Sequence, residues 1–409
     1  MRRMTLAAVV VAGRLVAVAG QAPATNITAF EHARVIVGDA RAPIEDATIV
    51  MTGSRLTQVG RASEVQMPAG ATRINLTGKT VMPSIVDTHN HLSQAREALV
   101  LDLRRRAYFG VAAATSLGQD TADVPFELRA QPMPGLARIF TAGRGVTAPE
   151  PGRTTAPFWV TTAAEARKAV QDNAARKVDI IKIWVDDRNG TVTKLSPDLY
   201  GAAIDEAHKQ GLRVIAHVFA LDDAKGLVRA GVDAFAHGVR DRDVDDEFMA
   251  LVTQRPDLVL GPNLPDRGVA ADIGWLRTSL APADFDALQK NNTTRPEVQA
   301  AFGIQARNLA RMSAAGVRIV LGTDGNTPYA PHVEMADMVA AGMTPAQVIA
   351  AATSNGAEFL KMIDAGTVAS GKSADFIVLD ANPLDNITNT RRISAVYLRG
   401  TQVNRSSYP

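Results

Sequence analysis

The sequence predicts an α/β fold, a (β/α)8 TIM barrel with a small β-sandwich domain built from both chain ends. The chain has 409 residues, which suits one large barrel with an accessory domain. Through its middle, short apolar runs alternate with helical stretches, as expected of a parallel sheet with crossover helices. Similar β-rich segments stand at both ends, which indicates that the two ends form one domain.

The β-rich segments place the domain boundaries. Short runs of β-formers, broken by Gly, Asp and Pro and without helical period, occupy residues 25–82. Residues 368–409 show the same pattern of short β-forming runs. We therefore assign 25–82 and 368–409 to the β-sandwich and 83–367 to the catalytic barrel.

Eight apolar runs predict the barrel strands, and that number suits a closed barrel. The predicted strands are 81–86, 112–117, 138–142, 180–185, 213–218, 234–238, 258–262 and 318–322. Helical stretches are predicted between them, most clearly at 162–175, 197–210 and 298–315.

Composition excludes several classes of function. The formal net charge is only +2, and no Lys/Arg-rich stripe with interleaved aromatic residues would track a phosphate backbone. The expected partner is therefore a small-molecule substrate rather than nucleic acid, and homo-oligomerisation is left open. Because the chain has no cysteine, a metal would be held by His, Asp, Glu or a modified Lys.

The N-terminus resembles a secretory signal peptide over residues 1–24. Arg2 and Arg3 precede an apolar stretch, and small residues follow it. This predicts a periplasmic or secreted protein that has no membrane association once the leader is removed. Arg14 interrupts the apolar stretch, so a cytoplasmic N-terminus is the alternative.

Four of the seven histidines lie at or just past the C-terminal end of a predicted strand, the barrel edge where catalysis takes place. His89 and His91 alternate by two, so both imidazoles point to the same side of an extended segment and can share a metal. An isolated His-x-His is also compatible with a surface pair. His217 and His237 end the fifth and sixth strands, where they are expected to converge near the barrel axis.

Asp324 and Lys182 extend this set. Asp324 follows the eighth strand, which neighbours the first in a closed barrel, so it is predicted to bind metal and accept a proton; a turn or helix-capping Asp is the alternative. Lys182 would be buried in an apolar strand, where an ammonium is costly. It could be paired, have a shifted pKa, or be carboxylated to an anionic metal ligand.

Other polar residues follow strands at the same edge. Arg144 follows the third strand, Arg240 and Arg242 the sixth, Asn263 the seventh and His332 the eighth. Arg144, Arg240, Asn263 and His332 are candidate substrate contacts. A structural salt bridge or a solvated loop charge is the alternative for each.

These residues resemble the amidohydrolase superfamily in order and spacing. The resemblance rests on the segment 81–91, the strand lysine, the two lone histidines, the Asp, and the tail segment 371–379. It is greatest with the imidazolonepropionase-related and Xaa-Pro dipeptidase-like branch. Related peptidases often carry Tyr where this chain has Phe219.

The resemblance implies a binuclear centre, usually of zinc. His89, His91 and Asp324 would hold one ion, His217 and His237 the other, and carboxylated Lys182 would bridge them. A metal-bridging hydroxide would be the nucleophile, with Asp324 as general acid and base.

Hydrolysis of a carbon–nitrogen bond in a small amide is the leading hypothesis. The same site would also suit a lactone or ester hydrolase. A single-metal deaminase, in which Lys182 is not a ligand, and a non-catalytic scaffold are the remaining alternatives.

Overall fold

The computed structural model describes residues 27–409, so the predicted leader at 1–24 lies outside the described residues. The strands, numbered in chain order, are β1 Ile27–Val35, β2 Ile44–Thr52, β3 Arg55–Arg61, β4 Thr72–Asn75, β5 Thr80–Pro83, β6 Ile85–Asn90, β7 Val111–Ser116, β8 Arg138–Thr141, β9 Val146–Thr147, β10 Phe158–Trp159, β11 Ile181–Val185, β12 Val214–Val218, β13 Ala234–Phe235, β14 Val259–Leu260, β15 Arg318–Ile319, β16 Phe376–Leu379, β17 Ile393–Leu398 and β18 Thr401–Gln402.

The helices lie mainly between the strands of the middle region. They are α1 Arg96–Tyr108, α2 Val124–Ala130, α3 Ala163–Ala175, α4 Pro197–Lys209, α5 Leu221–Ala230, α6 Asp246–Thr253, α7 Pro282–Asn291, α8 Pro296–Ala314, α9 Ala330–Ala340, α10 Pro345–Ala350 and α11 Gly356–Phe359. Short 3-10 turns occur at Gly274–Leu276 and Ile387–Arg391, and a π-helical turn at Ala351–Asn355. Among residues 27–409, no helix is both long and apolar enough to cross a membrane.

The three predicted helical stretches are confirmed as α3, α4 and α8. Local signals explain where two of them begin. Thr162 caps α3 through a reciprocal capping box with Glu165. Pro197 occupies the first turn of α4, where a missing N–H costs nothing.

One mixed sheet combines strands from both chain ends. Its order is β18-β17-β16-β5-β1-β2-β3, with β4 pairing with β1. Aromatic residues fill its core, since the Phe30 and Phe376 ring centroids lie 5.2 Å apart and Tyr397 stacks on Phe376 at 4.7 Å. The expected association of the two ends is thereby present in the sheet pairing.

The middle of the chain forms two parallel sheets, which confirms the α/β class. One has seven strands in the order β10-β9-β11-β12-β13-β14-β15, and the other has three in the order β6-β7-β8. The strands β6, β7, β11 and β12 are buried throughout. Such apolar runs are typical of parallel strands that helices cover on both faces.

Backbone hydrogen bonds also connect the two parallel sheets at both of their boundaries. The N–H of Thr88, in β6, donates to Leu321 O at 2.9 Å, just past β15. At the other boundary the N–H of Asp179 donates to Thr141 O, in β8, at 2.9 Å. The C-terminal ends of β6, β12, β13 and β15 therefore share one edge of the structure.

The prediction of one strand over 81–86 was wrong, because the segment is divided between two sheets. β5 pairs with β16 in the mixed sheet, with Pro83 opposite Phe376, whereas β6 pairs with β7. The break falls at Ser84, directly after a proline that cannot donate a ladder hydrogen bond. The later strands β13, β14 and β15 are also shorter than predicted, and β9 and β10 were not predicted.

Candidate metal centre

Four imidazoles form a continuous cluster at this edge. His89 lies near the end of β6 and His91 just after it, His217 lies in β12, and His237 follows β13 by two residues. The ring centroids of His89 and His91 are 5.4 Å apart, those of His89 and His237 5.1 Å, and those of His217 and His237 4.6 Å. The histidines at the ends of the first, fifth and sixth predicted barrel strands therefore lie next to one another.

The carboxylate of Asp324 lies among three of these rings. Its Oδ1 is 3.0 Å from His91 Nε2 and 3.4 Å from His89 Nε2, and its Oδ2 is 3.5 Å from His237 Nε2. His89, His237 and Asp324 each offer a ligand atom, all within 4.8 Å of one another. This grouping combines two members of one predicted ligand set with His237 of the other, so the described structure does not separate the five residues into those sets.

The backbone holds Asp324 in an uncommon conformation. Its φ is +50°, in the left-handed region that Asp tolerates better than most residues. The N–H groups of Thr323 and Asp324 both donate to His89 O, at 3.1 and 2.9 Å. Gly322 permits this approach, because a Cβ there would lie 2.9 Å from His89 Cβ. The loop after β15 is thus pinned directly onto a histidine of the cluster.

Asn263 accepts a hydrogen bond from the ring of His89. His89 Nδ1 lies 3.0 Å from Asn263 Oδ1 and 3.3 Å from Ala236 O, both acceptors, so Nδ1 carries the proton. Nε2 is then a free lone pair, and it is buried without a hydrogen-bond partner among residues 27–409. This arrangement is typical of a metal-binding histidine held by an outer acceptor.

Asp186 is a residue of the centre that the sequence reasoning missed. Its Oδ2 accepts from His217 Nε2 at 2.8 Å and from Arg188 Nη1 at 2.8 Å. Because Nε2 of His217 is bonded, Nδ1 is the nitrogen left for a metal. Asp186 follows β11 directly, which is the same signal, an acid at a strand's end, that drew attention to Asp324.

Lys182 is fully buried in β11, and its Nζ has no hydrogen-bond partner within the described chain. Burial lowers the pKa of its amine to about 7; Asp324 opposes this effect, and Arg240 and Arg188 add to it. Nζ lies 5.2 Å from the ring centroid of Trp184. The side chain is therefore a buried amine near the cluster without a paired carboxylate.

Three of the four histidines, together with Asp324, carry the charge states that metal ligands need. Burial lowers the pKa of His89 and His237 well below the ordinary value and that of His217 to about 4. Burial alone would raise the pKa of Asp324, but His89, His91 and Lys182 hold it below the usual carboxyl range. Neutral imidazoles and an ionised carboxylate are thus favoured near neutral pH.

The remaining candidate substrate contacts are Arg144, His332 and Arg240, and the structure places them in different surroundings. Arg144 donates to the carbonyls of residues 155–157 and packs over Phe158, so its guanidinium is used within its own loop. His332 contacts Phe109 O at 2.9 Å and Thr390 Oγ1 at 3.1 Å, in a buried position where both ring nitrogens are occupied. The structure brings neither into the histidine cluster. Arg240 differs, since its positive charge lowers the pKa values of Lys182, His217 and His237.

Comparison with known proteins shows similarity to the amidohydrolase family in both sequence and fold. A profile of the amidohydrolase family matches residues 80–403. The imidazolonepropionase of Streptomyces coelicolor is 27% identical over 385 residues, which cover 87% of this chain and 92% of that protein. A putative prolidase from Bifidobacterium longum is 28% identical, with a TM-score of 0.77 and coverage of 95% and 97%. Phenylurea hydrolase B shares the fold at 21% identity, with a TM-score of 0.76 and coverage of 94% and 98%.

Proposed function

This chain belongs to the amidohydrolase family, and from that premise we propose that it is a metal-dependent hydrolase cleaving a carbon–nitrogen bond in a small amide. The observation that carries the proposal is the convergence of His89, His91 and His237 on the carboxylate of Asp324. The similarity to the putative prolidase from Bifidobacterium longum supports a peptide-like amide as the substrate class.

The donor set fits divalent cations. His89 Nε2, His91 Nδ1, His237 Nδ1 and Lys182 Nζ are all buried without a hydrogen-bond partner among the described residues. Such orphaned groups are costly unless a ligand compensates them. The six residues that would hold two cations are His89, His91, Lys182, His217, His237 and Asp324. Imidazole nitrogens and carboxylate oxygens suit zinc.

Lys182 would join this set as a carbamate. Its neutral amine would add to CO2, forming a nitrogen–carbon bond and releasing one proton, which converts the buried amine into an anionic oxygen donor. The burial of Nζ supports this modification, because an unmodified ammonium would remain without a partner at this depth.

Asp324 would move the proton. When bound, the cations would lower the pKa of a water molecule and polarise the substrate carbonyl. The Asp324 side chain is 38% exposed, more than that of His91 at 23% or of His89 at 2%, so Asp324 is the best placed of the set to reach a substrate. It would accept the proton of the attacking water and deliver it to the leaving nitrogen. Asn263 and Asp186 would hold the His89 and His217 rings in place.

We also propose how the sheets are organised into domains. We interpret eight strands of the two parallel sheets as one closed (β/α)8 barrel, which the backbone bonds at both boundaries support; they are β6, β7, β8, β11, β12, β13, β14 and β15. The mixed sheet would be the core of a separate β-sandwich domain. The predicted boundary at 367/368 is retained, and the one predicted at 82/83 is moved to Ser84, between β5 and β6.

The test uses the full chain reconstituted with Zn²⁺ in bicarbonate buffer. N-acyl amino acids, dipeptides and lactams would be assayed beside matched esters, with bound zinc counted and Lys182 examined by intact mass. Turnover of amides, about two zinc ions and the added mass of CO2 are expected. Lys182→Ala should abolish turnover, whereas Lys168→Ala, an exposed surface residue, should not.

Each contrary outcome has a distinct meaning. Faster hydrolysis of esters than of their matched amides would establish a lactone or ester hydrolase. One zinc with unmodified Lys182 would indicate the single-metal deaminase. Far less than one bound zinc per chain would indicate the scaffold, and failure across the whole panel would reject the proposal.

A further inference from the structure

Two guanidinium groups stand beside the proposed centre, and neither is used by the mechanism above. Arg188 lies in the loop after β11, and Arg240 lies three residues past His237. In both, the Nε–H is buried without a hydrogen-bond partner among residues 27–409. Because burying an unpaired donor on a charged group is costly, such groups point to a ligand.

Arg188 is tied to the centre through Asp186. Its Nη1 shares Asp186 Oδ2 with His217 Nε2, at 2.8 Å in both cases. Its Nη2 lies 3.5 Å from Glu150 Oε1, and Glu150 is also paired with Arg153 at 2.8 Å. The local carboxylates Asp186 and Glu150 are therefore already engaged.

Arg240 is the cation left without a partner. Its backbone N–H donates to Phe219 O at 2.9 Å, which anchors it beside the segment that follows His217. Burial lowers the pKa of its guanidinium, Asp324 and Asp186 raise it, and Arg188 lowers it, so these three groups are its charged neighbours. Within the described chain Arg240 forms no ion pair, whereas Arg242, two residues on, pairs with Asp222 at 2.7 Å and Asp241 at 3.1 Å.

We propose that Arg240, with Arg188 beside it, binds a carboxylate of the substrate next to the scissile amide, so that the enzyme acts on N-acyl amino acids and related acids rather than neutral amides. This inference rests on the proposed function. A guanidinium presents planar, paired donors that match a carboxylate, and the match is strongest where water is excluded. A substrate carboxylate would supply the charge that Asp186 and Glu150 do not.

The experiment compares two substrates that differ only in this charge. N-acetyl-L-alanine and N-acetyl-L-alaninamide, with the leucine and phenylalanine pairs, would be assayed for acetate release by the zinc-loaded enzyme. Wild type should prefer each acid. Arg240→Gln should lower kcat/KM for the acids about 10- to 100-fold more than for the matched amides, the range of one charge-assisted hydrogen bond.

Three further variants sharpen the comparison. Arg240→Lys should recover part of the acid preference, because it restores the charge without the planar fork. Arg188→Gln should reduce the preference less, since Asp186 and Glu150 already neutralise that residue. Arg242→Gln is the matched control and should behave as wild type. Equal losses on acids and amides in Arg240→Gln would overturn the proposal, because they would show a general electrostatic role.

A second readout separates this inference from the proposed function. Metal-free protein cannot turn over the probe, so binding of N-acetyl-L-alanine and its amide can be compared directly by ligand-observed NMR. Tighter binding of the acid, lost in Arg240→Gln, would support the anion subsite even if the loaded enzyme released no acetate, in which case only the proposed function fails. Equal binding of acid and amide would reject the subsite itself.

Discussion

Asp186 Oδ2 and His217 Nε2 form a 2.8 Å hydrogen bond across the ends of two neighbouring strands, and this bond selects the nitrogen that His217 leaves free. A carboxylate that accepts from a ligating histidine fixes the tautomer and the ring orientation. The bond is shielded from solvent, since both side chains are only 8% exposed.

Asp186→Asn should lower the affinity for the second zinc ion by about 10- to 100-fold, as expected for loss of such an outer partner. Zinc titration against a chromophoric chelator measures this. Asp187→Asn changes the adjacent acid, whose side chain accepts a hydrogen bond from the N–H of Gly190 in its own loop, and should leave both affinities unchanged. Unaltered zinc binding in Asp186→Asn would contradict an orienting role.

Lys182→Met should reduce bound zinc from about two ions to about one and lower activity by at least about 10²-fold, because Met cannot be carboxylated. In EDTA, however, the variant should be at least as stable as wild type, since an apolar chain replaces a buried amine without partners. Urea denaturation and metal analysis test the two effects. Marked destabilisation of the metal-free variant would show that the amine has a structural partner, and Lys168→Met controls for the substitution itself.

Asp324→Asn should lower kcat by about 10²- to 10⁴-fold, the usual contribution of a positioned acid or base. Because its neighbours hold the pKa of Asp324 below the usual carboxyl range, the carboxylate stays ionised from pH 5.5 to 9, and the loss should be similar across that range. Rate profiles of both proteins test this. A loss confined to one end of the range would be inconsistent with the assignment. Asp246→Asn, whose side chain is 98% exposed, is the surface control.

The burial of His332 should make part of the free energy of unfolding depend on pH. Burial lowers its pKa from 6.5 to about 4, so between these values the unfolded chain binds a proton that the folded chain excludes. Stability should therefore fall as pH decreases through this window, by up to about 1.4 kcal/mol per pH unit. Both ring nitrogens are bonded, so His332→Asn should be less stable than wild type at pH 7.5.

The difference between the two proteins should shrink at pH 5, since only wild type loses stability through this group. Urea denaturation at both values tests the sign, with His32→Asn, a half-exposed histidine, as the control. A difference that is constant with pH would mean that His332 titrates normally in the folded state.

Gly145→Ala should destabilise the protein by about 1–3 kcal/mol and lower its zinc content. A Cβ at this position would lie 2.1 Å from Trp184 Cζ3, so the ring would be displaced from its place beside Lys182. Gly201→Ala is the matched control, because that glycine lies inside α4 with nothing near its added Cβ. It should stabilise the protein by about 0.5–1 kcal/mol, and zinc content should not change. Equal stability of the two variants in thermal unfolding would contradict the packing argument.

Much of the fold could be predicted from local patterns. The α/β class and the helices α3, α4 and α8 follow from apolar periodicity and capping residues, which act within a few residues along the chain. The break at Ser84 could not be predicted, because the apolar run is continuous there and the two halves differ only in their partners, β16 and β7.

The sequence by itself determined which residue types stand at the strand ends, so His89, His91, His217, His237 and Asp324 could be nominated from position alone. Tertiary structure decided what each polar side chain contacts. It engaged Arg144 and His332 in structural bonds, turned Asn263 toward His89, joined Asp186 to His217 and left Arg240 unpaired. The physical reason is that a strand end is a local property, whereas a hydrogen-bond partner is supplied by whichever distant segment the fold places within about 3 Å.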